Sequence, residues 1–313
     1  MSSIPSKVRI ATRESRLAMV QTEMVRDALR ARHPGLEVEV VGMTTKGDRV
    51  LDRPLAQVGG KGLFVKELEV AIDEGRADIA VHSLKDVPME LPPQFSLVTF
   101  GEREMPLDAF VSNRHASLDS IPANGVVGTS SLRRECQLRA AYPMLQFRGL
   151  RGNVNTRLAK LDAGDYDAII LACAGLRRLG FDGRIRATLP ERLSVPAIAQ
   201  GILGIEFRRE RTDLVSMFSG FEDPSTAVAA RAERAFGRLV QGSCDVPVAA
   251  YARVKDREVH LEGFVGLPDG SRTVRLHTQG GVEDAEAVGR ALAERVLAAG
   301  GREILEQLLQ KTA

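Results

Sequence analysis

The chain has 313 residues, 44% of them hydrophobic, which is enough for two or three packed domains rather than one simple core. Its 43 Lys and Arg nearly cancel 41 Asp and Glu, leaving a formal charge of +2. With 4% aromatics and no Trp it has neither the field nor the stacking platforms that recruit nucleic acid or a membrane surface. Residues 1–7 lack an apolar signal core and no run approaches the roughly 18 apolar residues of a membrane span, so a soluble, cytoplasmic protein is expected. The three cysteines, Cys136, Cys173 and Cys244, are odd in number and far apart, which argues against both a disulfide framework and a metal site of paired thiolates.

Residues 7–11 read as a strand, Ser15 as a helix N-cap, and Leu17, Val20, Met24, Val25, Ala28 and Leu29 as one face of a helix that Pro34 and Gly35 end. Residues 36–43 alternate as a strand, and a long loop follows through Gly59-Gly60-Lys61-Gly62. Residues 63–74 then read as a helix closed by Gly75, and residues 77–81 as a third strand, giving a βαβαβ unit. The same order returns in strand 126–129, helix 131–141, strand 145–148, helix 153–163 and strand 167–173, with Pro143 and Gly164 as the stops. The expected fold is therefore α/β, with two similar lobes facing each other across a cleft in the manner of periplasmic binding proteins. Residues 95–104 and 194–200 read as two irregular crossings, and residues 202–207 and 212–218 as a strand and helix returning to the first lobe. From Asp223-Pro224 the pattern changes to a helix, three strands (246–254, 258–266, 272–279) and two further helices, a small α+β domain with an antiparallel sheet. The expected domains are 1–100 with 201–220, 105–195, and 223–313.

The stretch Val81-His82-Ser83-Leu84-Lys85-Asp86-Val87-Pro88 carries a short apolar strand into a histidine, a hydroxyl, a cation and an acid before a proline. Ligands in open α/β sheets bind outside such strand ends, although a plain turn uses the same residues. Arg13, Arg133, Arg134, Arg151, Arg157 and Arg178 fall at strand ends or in first helical turns of both lobes. One arginine is ordinarily solvated surface, but six at the ends that face a cleft point to a site for a polyanion. Gly59-Gly60-Lys61-Gly62 lacks the Ser or Thr of a Walker loop, and no nucleotide, GxSxG or HExxH motif is present. His82 reads as structural. Cys244, in a glycine-flanked loop, fits a buried inert thiol less well than Cys136 or Cys173.

The chain closely resembles the porphobilinogen deaminase (hydroxymethylbilane synthase) family over residues 8–311. The resemblance rests on Arg9-Ile10-Ala11-Thr12-Arg13-Glu14-Ser15, Val58-Gly59-Gly60-Lys61-Gly62-Leu63-Phe64, the stretch from Val81 to Pro88, Val127-Gly128-Thr129-Ser130-Ser131-Leu132-Arg133-Arg134, Arg151-Gly152-Asn153-Val154 and Gly242-Ser243-Cys244-Asp245-Val246-Pro247. It implies a transferase that condenses four porphobilinogen molecules head to tail into hydroxymethylbilane, with release of ammonia, for tetrapyrrole (haem or chlorophyll) synthesis. It also implies a covalent dipyrromethane cofactor held as a thioether by Cys244, no metal, and a monomer. By the same resemblance Asp86 is the catalytic acid. Ser83, Lys85, Thr129, Ser131, Arg133 and Arg134 hold the cofactor, and Arg13, Ser15, Lys61, Arg151, Arg157 and Arg178 hold substrate. Gln57 departs from the family in standing where a lysine is common, which leaves Lys61 as the cation of that loop. Beside Lys85, Asp86 is expected to act as an ionised carboxylate that stabilises a cationic pyrrole. The competing reading is a two-lobed sensor that closes on an acidic metabolite without chemistry, which leaves Asp86 and Cys244 without a task.

Overall fold

The structure, a computed structural model, describes residues 4–45, 62, 65–240 and 246–310. Its first lobe is built from β1 (Lys7–Arg13), α1 (Arg16–Arg32), β2 (Glu37–Met43), α2 (Lys66–Asp73), β3 (Ile79–Ser83) and β4 (Phe95–Phe100). The second contains β5 (Asp108–Val111), β6 (Val126–Gly128), α3 (Leu132–Ala141), β7 (Gln146–Arg148), α4 (Val154–Asp162), β8 (Ala168–Ala172), α5 (Cys173–Arg178) and β9 (Ala187–Thr188). The chain then returns to the first lobe as β10 (Leu203–Arg208) and α6 (Thr212–Phe218).

Both sheets have five strands in equivalent order, β2-β1-β3-β10-β4 and β7-β6-β8-β5-β9. In each, three parallel strands are joined by one antiparallel strand, β10 or β5, and that strand is the first to follow a crossing between lobes. The sequence expectation needs correcting here, because residues 95–100 form β4, an edge strand hydrogen-bonded to β10, and are not part of the crossing. Strand β5 was not anticipated either. Its four residues are all buried and show no alternation, so they lack the period-2 signal of a half-exposed strand.

Local chemistry sets the helix starts. Ser15 Oγ accepts from the Ala18 N–H, Ser131 Oγ from Arg134, Asn153 Oδ1 from Thr156 and Asp223 Oδ1 from Thr226, so each helix begins where a short polar side chain satisfies an otherwise orphaned donor. Each lobe buries apolar side chains on both sheet faces. In the first, Val8, Ile10, Val25 and Phe207 lie on one side and Ala11, Leu68 and Phe95 on the other. The third unit comprises α7 (Pro224–Leu239), an antiparallel sheet of β11 (Val248–Lys255), β12 (Glu258–Gly266) and β13 (Thr273–Gly281), then α8 (Ala285–Val296) and α9 (Arg302–Gln310). Its core also takes in Leu84, Val87, Ile198, Ala199 and Ile202, so the third unit grips both the end of β3 and the second crossing.

Candidate active site

Strand β3 runs into a single 3-10 turn, Leu84–Asp86. Leu84 and Val87 are buried in the core of the third unit, the Leu84 N–H donates to the Ile202 carbonyl at 2.9 Å, and Arg234 donates to the Pro88 carbonyl at 2.7 Å. Residues advance by about 120° in a 3-10 turn, so anchoring Leu84 and Val87 on one side leaves Lys85 and Asp86 on the other. Asp86 is exposed and Lys85 half-buried. Burial lowers the Lys85 ammonium pKa to about 8; the Asp86 and Asp108 carboxylates oppose that shift while Arg134 and Arg133 add to it. Among the described residues no ion pair joins Lys85 to Asp86. Instead, Lys85 Nζ donates to Gln200 Oε1 at 3.3 Å.

Behind Lys85 lies an ionic cluster that the sequence did not reveal. Asp108 is fully buried, and its carboxylate accepts from Arg133 Nη1 and Nη2 (2.9 and 3.0 Å), Arg134 Nε (2.9 Å), Ser194 Oγ (2.8 Å) and Gln200 Nε2 (2.9 Å). Burial would raise its pKa, but the two guanidiniums outweigh burial and hold the carboxyl well below the usual carboxylate range. Arg133 and Arg134, read from the sequence as cations standing in the cleft, are both buried. They direct these donors inward to Asp108, Ser194 and the Val195 and Ile170 carbonyls. Two cations on one carboxylate still leave one unit of positive charge beside Lys85. The only sequence signal for Asp108 is a lone acid opening the apolar run Ala109-Phe110-Val111.

Arg157 lies on the same side. It is half-buried, its Nε donates to the Gly152 carbonyl at 2.8 Å, and burial lowers its pKa to about 10 with Arg134 and Arg151 repelling and Asp86 pulling back. The structure thus brings Asp86, Lys85, Arg134, Arg151 and Arg157 within electrostatic reach of one another across the two lobes. Arg178 ends helix α5 rather than a strand, contrary to expectation. It donates from Nη2 to the Gly201 carbonyl at 2.7 Å, its Nε is buried without a hydrogen-bond partner among the described residues, and burial lowers its pKa to about 10 against the pull of Glu104. Arg13 closes β1, half-buried. The Ser15 and Ser131 hydroxyls serve as helix caps. Ser83 Oγ accepts from Gln21 Nε2 at 2.8 Å, and the buried Thr129 accepts from the Ser131 N–H at 3.2 Å. His82 is buried with Nε2 2.9 Å from Glu206 Oε2. Lys61 and Cys244, like Gln57, lie outside the described residues.

The two crossings are stitched together next to this site. The Glu104 N–H donates to the Gly201 carbonyl at 3.2 Å and Arg103 Nε to the Gln200 carbonyl at 2.8 Å. Gly201 has φ +90°, and a Cβ there would lie 2.2 Å from the Glu104 carbonyl oxygen, so only glycine permits this approach. Glu233 of α7, fully buried, accepts from Arg103 Nη1 (2.6 Å), the Ala199 N–H (2.6 Å) and the Ala252 N–H (2.7 Å), tying both crossings to the third unit. Gln21, Gln200, Arg103 and Glu233 were all missed by sequence reading, because their side-chain partners lie 34 to 149 residues away in the chain for all but the closest, Glu233 with Ala252.

Two α/β lobes that present an exposed carboxylate among partly buried, mutually repelling cations make a site of the kind that receives an anionic ligand. Residues 8–216 match the family model described as porphobilinogen deaminase, dipyromethane cofactor binding domain, and residues 227–298 that of the porphobilinogen deaminase C-terminal domain. The chain is 57% identical over 299 residues to porphobilinogen deaminase of Thiobacillus denitrificans, covering 96% of this chain and 98% of that one. It is 55% identical over 315 residues to that of Burkholderia thailandensis, covering 100% and 96%. Among solved structures it is similar to the probable amino-acid ABC transporter extracellular-binding protein ytmK from Bacillus subtilis, with 14% identity, a TM-score of 0.43, and coverage of 71% and 94%. The chain belongs to the porphobilinogen deaminase family. It is a transferase of tetrapyrrole biosynthesis that condenses four porphobilinogen molecules head to tail into hydroxymethylbilane, releasing ammonia, with a dipyrromethane cofactor. The sensor reading is thereby set aside.

The residues present fit that cofactor. Each of its pyrroles carries an acetate and a propionate. Lys85, Arg157 and Arg178 are cations whose pKa values burial lowers, and an anionic group placed beside them would offset that cost.

Proposed function

We propose that Asp86 is the catalytic carboxylate and that the surrounding cations divide the carboxylates of cofactor and substrate between them. When bound, the cofactor supplies the pyrrole α-carbon from which the chain grows. The reading is carried by one observation: Asp86 is the exposed acid at the end of β3, held by a turn whose apolar residues are locked into the third unit, while positive groups from both lobes converge on it. A fixed carboxylate stabilises positive charge that develops on a pyrrole as ammonia leaves, and it needs no reorganisation at that moment. Lys85 takes a cofactor carboxylate, and Arg133 and Arg134 act through the surplus positive charge of their cluster with Asp108. Ser83, Thr129 and Ser131 orient pyrrole substituents at the strand and helix ends where they sit. Arg151, Arg157 and Arg178, with Arg13, Ser15 and Lys61, receive the arms of incoming and later rings, and Cys244 forms the thioether.

The molecule is further read as a cytoplasmic monomer. Its exposed large hydrophobics, among them Met24, Val70, Met144, Val215 and Leu239, fall on separate segments of the chain. Cys136 and Cys173 are buried free thiols whose pKa values burial raises to about 12 and about 11. Among the described residues no helix is long and apolar enough to cross a membrane. Intact-mass measurement of purified protein tests the site assignment. Wild type and Asp86→Asn should carry an increment of two pyrrole units and Cys244→Ala none, while Asp86→Asn turns over at least a hundredfold more slowly. An increment surviving in Cys244→Ala, or an Asp86→Asn variant with near-normal turnover, refutes the assignment.

A further inference from the structure

Gln200 stands between the two halves of the site and belongs to neither half's expected set. Its side chain is fully buried. The amide Nε2 donates to the Pro106 carbonyl at 2.6 Å and to Asp108 Oδ1 at 2.9 Å, while Oε1 accepts from Lys85 Nζ at 3.3 Å. This pattern fixes the direction of the amide. Turned over, it would set its NH2 against an ammonium and its carbonyl against a carboxylate and another carbonyl, three repulsive contacts in place of three attractive ones. The backbone is held just as firmly: Ala199 has φ +58°, a costly conformation for a residue with a Cβ, pinned by its N–H bond to Glu233, and Gly201 follows at φ +90°.

The ammonium of Lys85 has two carboxylates in its surroundings. Asp108 is fully engaged by Arg133, Arg134, Ser194 and Gln200. Asp86, the next residue along, is exposed and unengaged by Lys85 among the described residues. Neighbours in a 3-10 turn diverge, so Lys85 reaches Asp86 only by folding back on its flexible stem.

We propose that Gln200 is a positioning residue whose carbonyl draws the Lys85 ammonium toward the second lobe and away from Asp86, keeping the catalytic carboxylate unpaired. This rests on the reading of Asp86 and Lys85 given above. Without the amide, Lys85 divides between the cofactor carboxylate it takes and Asp86, and each pairing with Asp86 neutralises the charge on which the reaction depends.

The test uses the holoenzyme in wild-type, Gln200→Met, Gln200→Asn, Lys85→Met and Gln200→Met/Lys85→Met forms. Both Gln200 variants should carry the cofactor by intact mass and lose about tenfold or more in kcat, with KM changed much less. Gln200→Met should cost nothing further once Lys85 is Met, the mark of residues acting through one interaction. A crystal structure of Gln200→Met should place Lys85 Nζ within ion-pair distance of the Asp86 carboxylate. The proposal is overturned by a Lys85 amine that stays clear of Asp86 in that structure, by equal fold losses in both Lys85 backgrounds, or by failure of both Gln200 variants to fold, which would make Gln200 scaffolding. Should Lys85→Met alone retain full activity, the role given to Lys85 fails, and the crystallographic result still decides the one given to Gln200.

Discussion

Replacing Asp108 with Asn tests whether the second lobe is held together by the buried ionic cluster that backs the site. The substitution preserves shape and removes one negative charge. Arg133 and Arg134 then share a site with no counter-ion, and an amide NH2 must face a guanidinium where Oδ1 or Oδ2 accepted at 2.9–3.0 Å. Their side chains are only 5% and 7% exposed, so water relieves little of this. Removing one partner of a buried ion pair costs about 3–5 kcal/mol, a large share of the ~5–15 kcal/mol by which a domain is stable. Because the chain has no Trp, urea unfolding followed by far-ultraviolet circular dichroism is the suitable assay. The pH dependence has a definite sign. The folded Asp108 carboxyl lies well below its unfolded value, so its contribution is complete above the unfolded value and declines as pH falls through it. The gap between wild type and Asp108→Asn should therefore narrow by about 1 kcal/mol between pH 7 and pH 3. A companion variant with Asp108, Arg133 and Arg134 all replaced by apolar residues should recover much of the stability while remaining inactive, since buried charge clusters often exchange for hydrophobic packing at little cost. A gap below about 1 kcal/mol at pH 7, or one that widens in acid, would refute the reasoning.

Asp86→Asn should keep fold and cofactor and lose about three orders of magnitude in turnover, since a unit charge pair ~4 Å apart at an effective dielectric of ~20 is worth about 4 kcal/mol; steady-state kinetics retaining a tenth of wild-type activity would be too fast for this role. Replacing Arg151, Arg157 or Arg178 singly with Lys removes the two-pronged grip on a carboxylate and should stall elongation, seen in mass spectra as enzyme trapped with intermediate numbers of added pyrrole units; a higher KM with no trapped species would count against it. Burial raises the Glu69 pKa to about 7, with Glu206 adding to the shift and His82 opposing it, so Glu69 favours folding when protonated and that contribution is lost as pH rises through about 7. Glu69→Gln should accordingly match wild type near pH 5 and exceed it by about 1 kcal/mol at pH 8 after allowance for partial exposure, and equal melting at both pH values would contradict the shift.

Local signals were readable and reached far. Ser15 was readable as a cap, and the helix starts at Ser131, Asn153 and Asp223 were placed where caps form, because each interaction closes within three residues; the repeated strand-helix order followed from periodicity. Reading failed where a residue's neighbours come from elsewhere in the chain. The short strand β5 is fixed by pairing with β8, about 60 residues onward, and with β9. Residues 95–100 look irregular until β10 returns to pair with them. Helix α5 was hidden because Cys173-Ala174-Gly175 continues an apolar strand without a break, with a glycine where a helix is least expected. That omission also displaced Arg178. Arg133 and Arg134 show the sharper limit: adjacent arginines in the first turn of a helix read as cleft cations, yet their direction is set by Asp108, 25 and 26 residues earlier.

The same cluster explains why the site's scarce cation is a lysine. With eight lysines against 35 arginines, the chain nonetheless has Lys85 next to Asp86, the carboxylate proposed as catalytic. An arginine there would bring a rigid fork and a permanent charge against a floor already holding Arg133, Arg134 and one surplus positive unit. An ammonium is compact, is drawn to a single carbonyl on Gln200, and loses its proton far more readily than a guanidinium when surrounding cations and burial disfavour the charge. On the proposed function, the carboxylates of cofactor and substrate reverse that balance by bringing anions to the cleft. The charge on Lys85 is then coupled to occupation of the cleft, whereas the charges on Arg133 and Arg134 are coupled to the fold through Asp108. One ionic network thus joins a permanent structural part to a titratable binding part, and Gln200 is the neutral link between them.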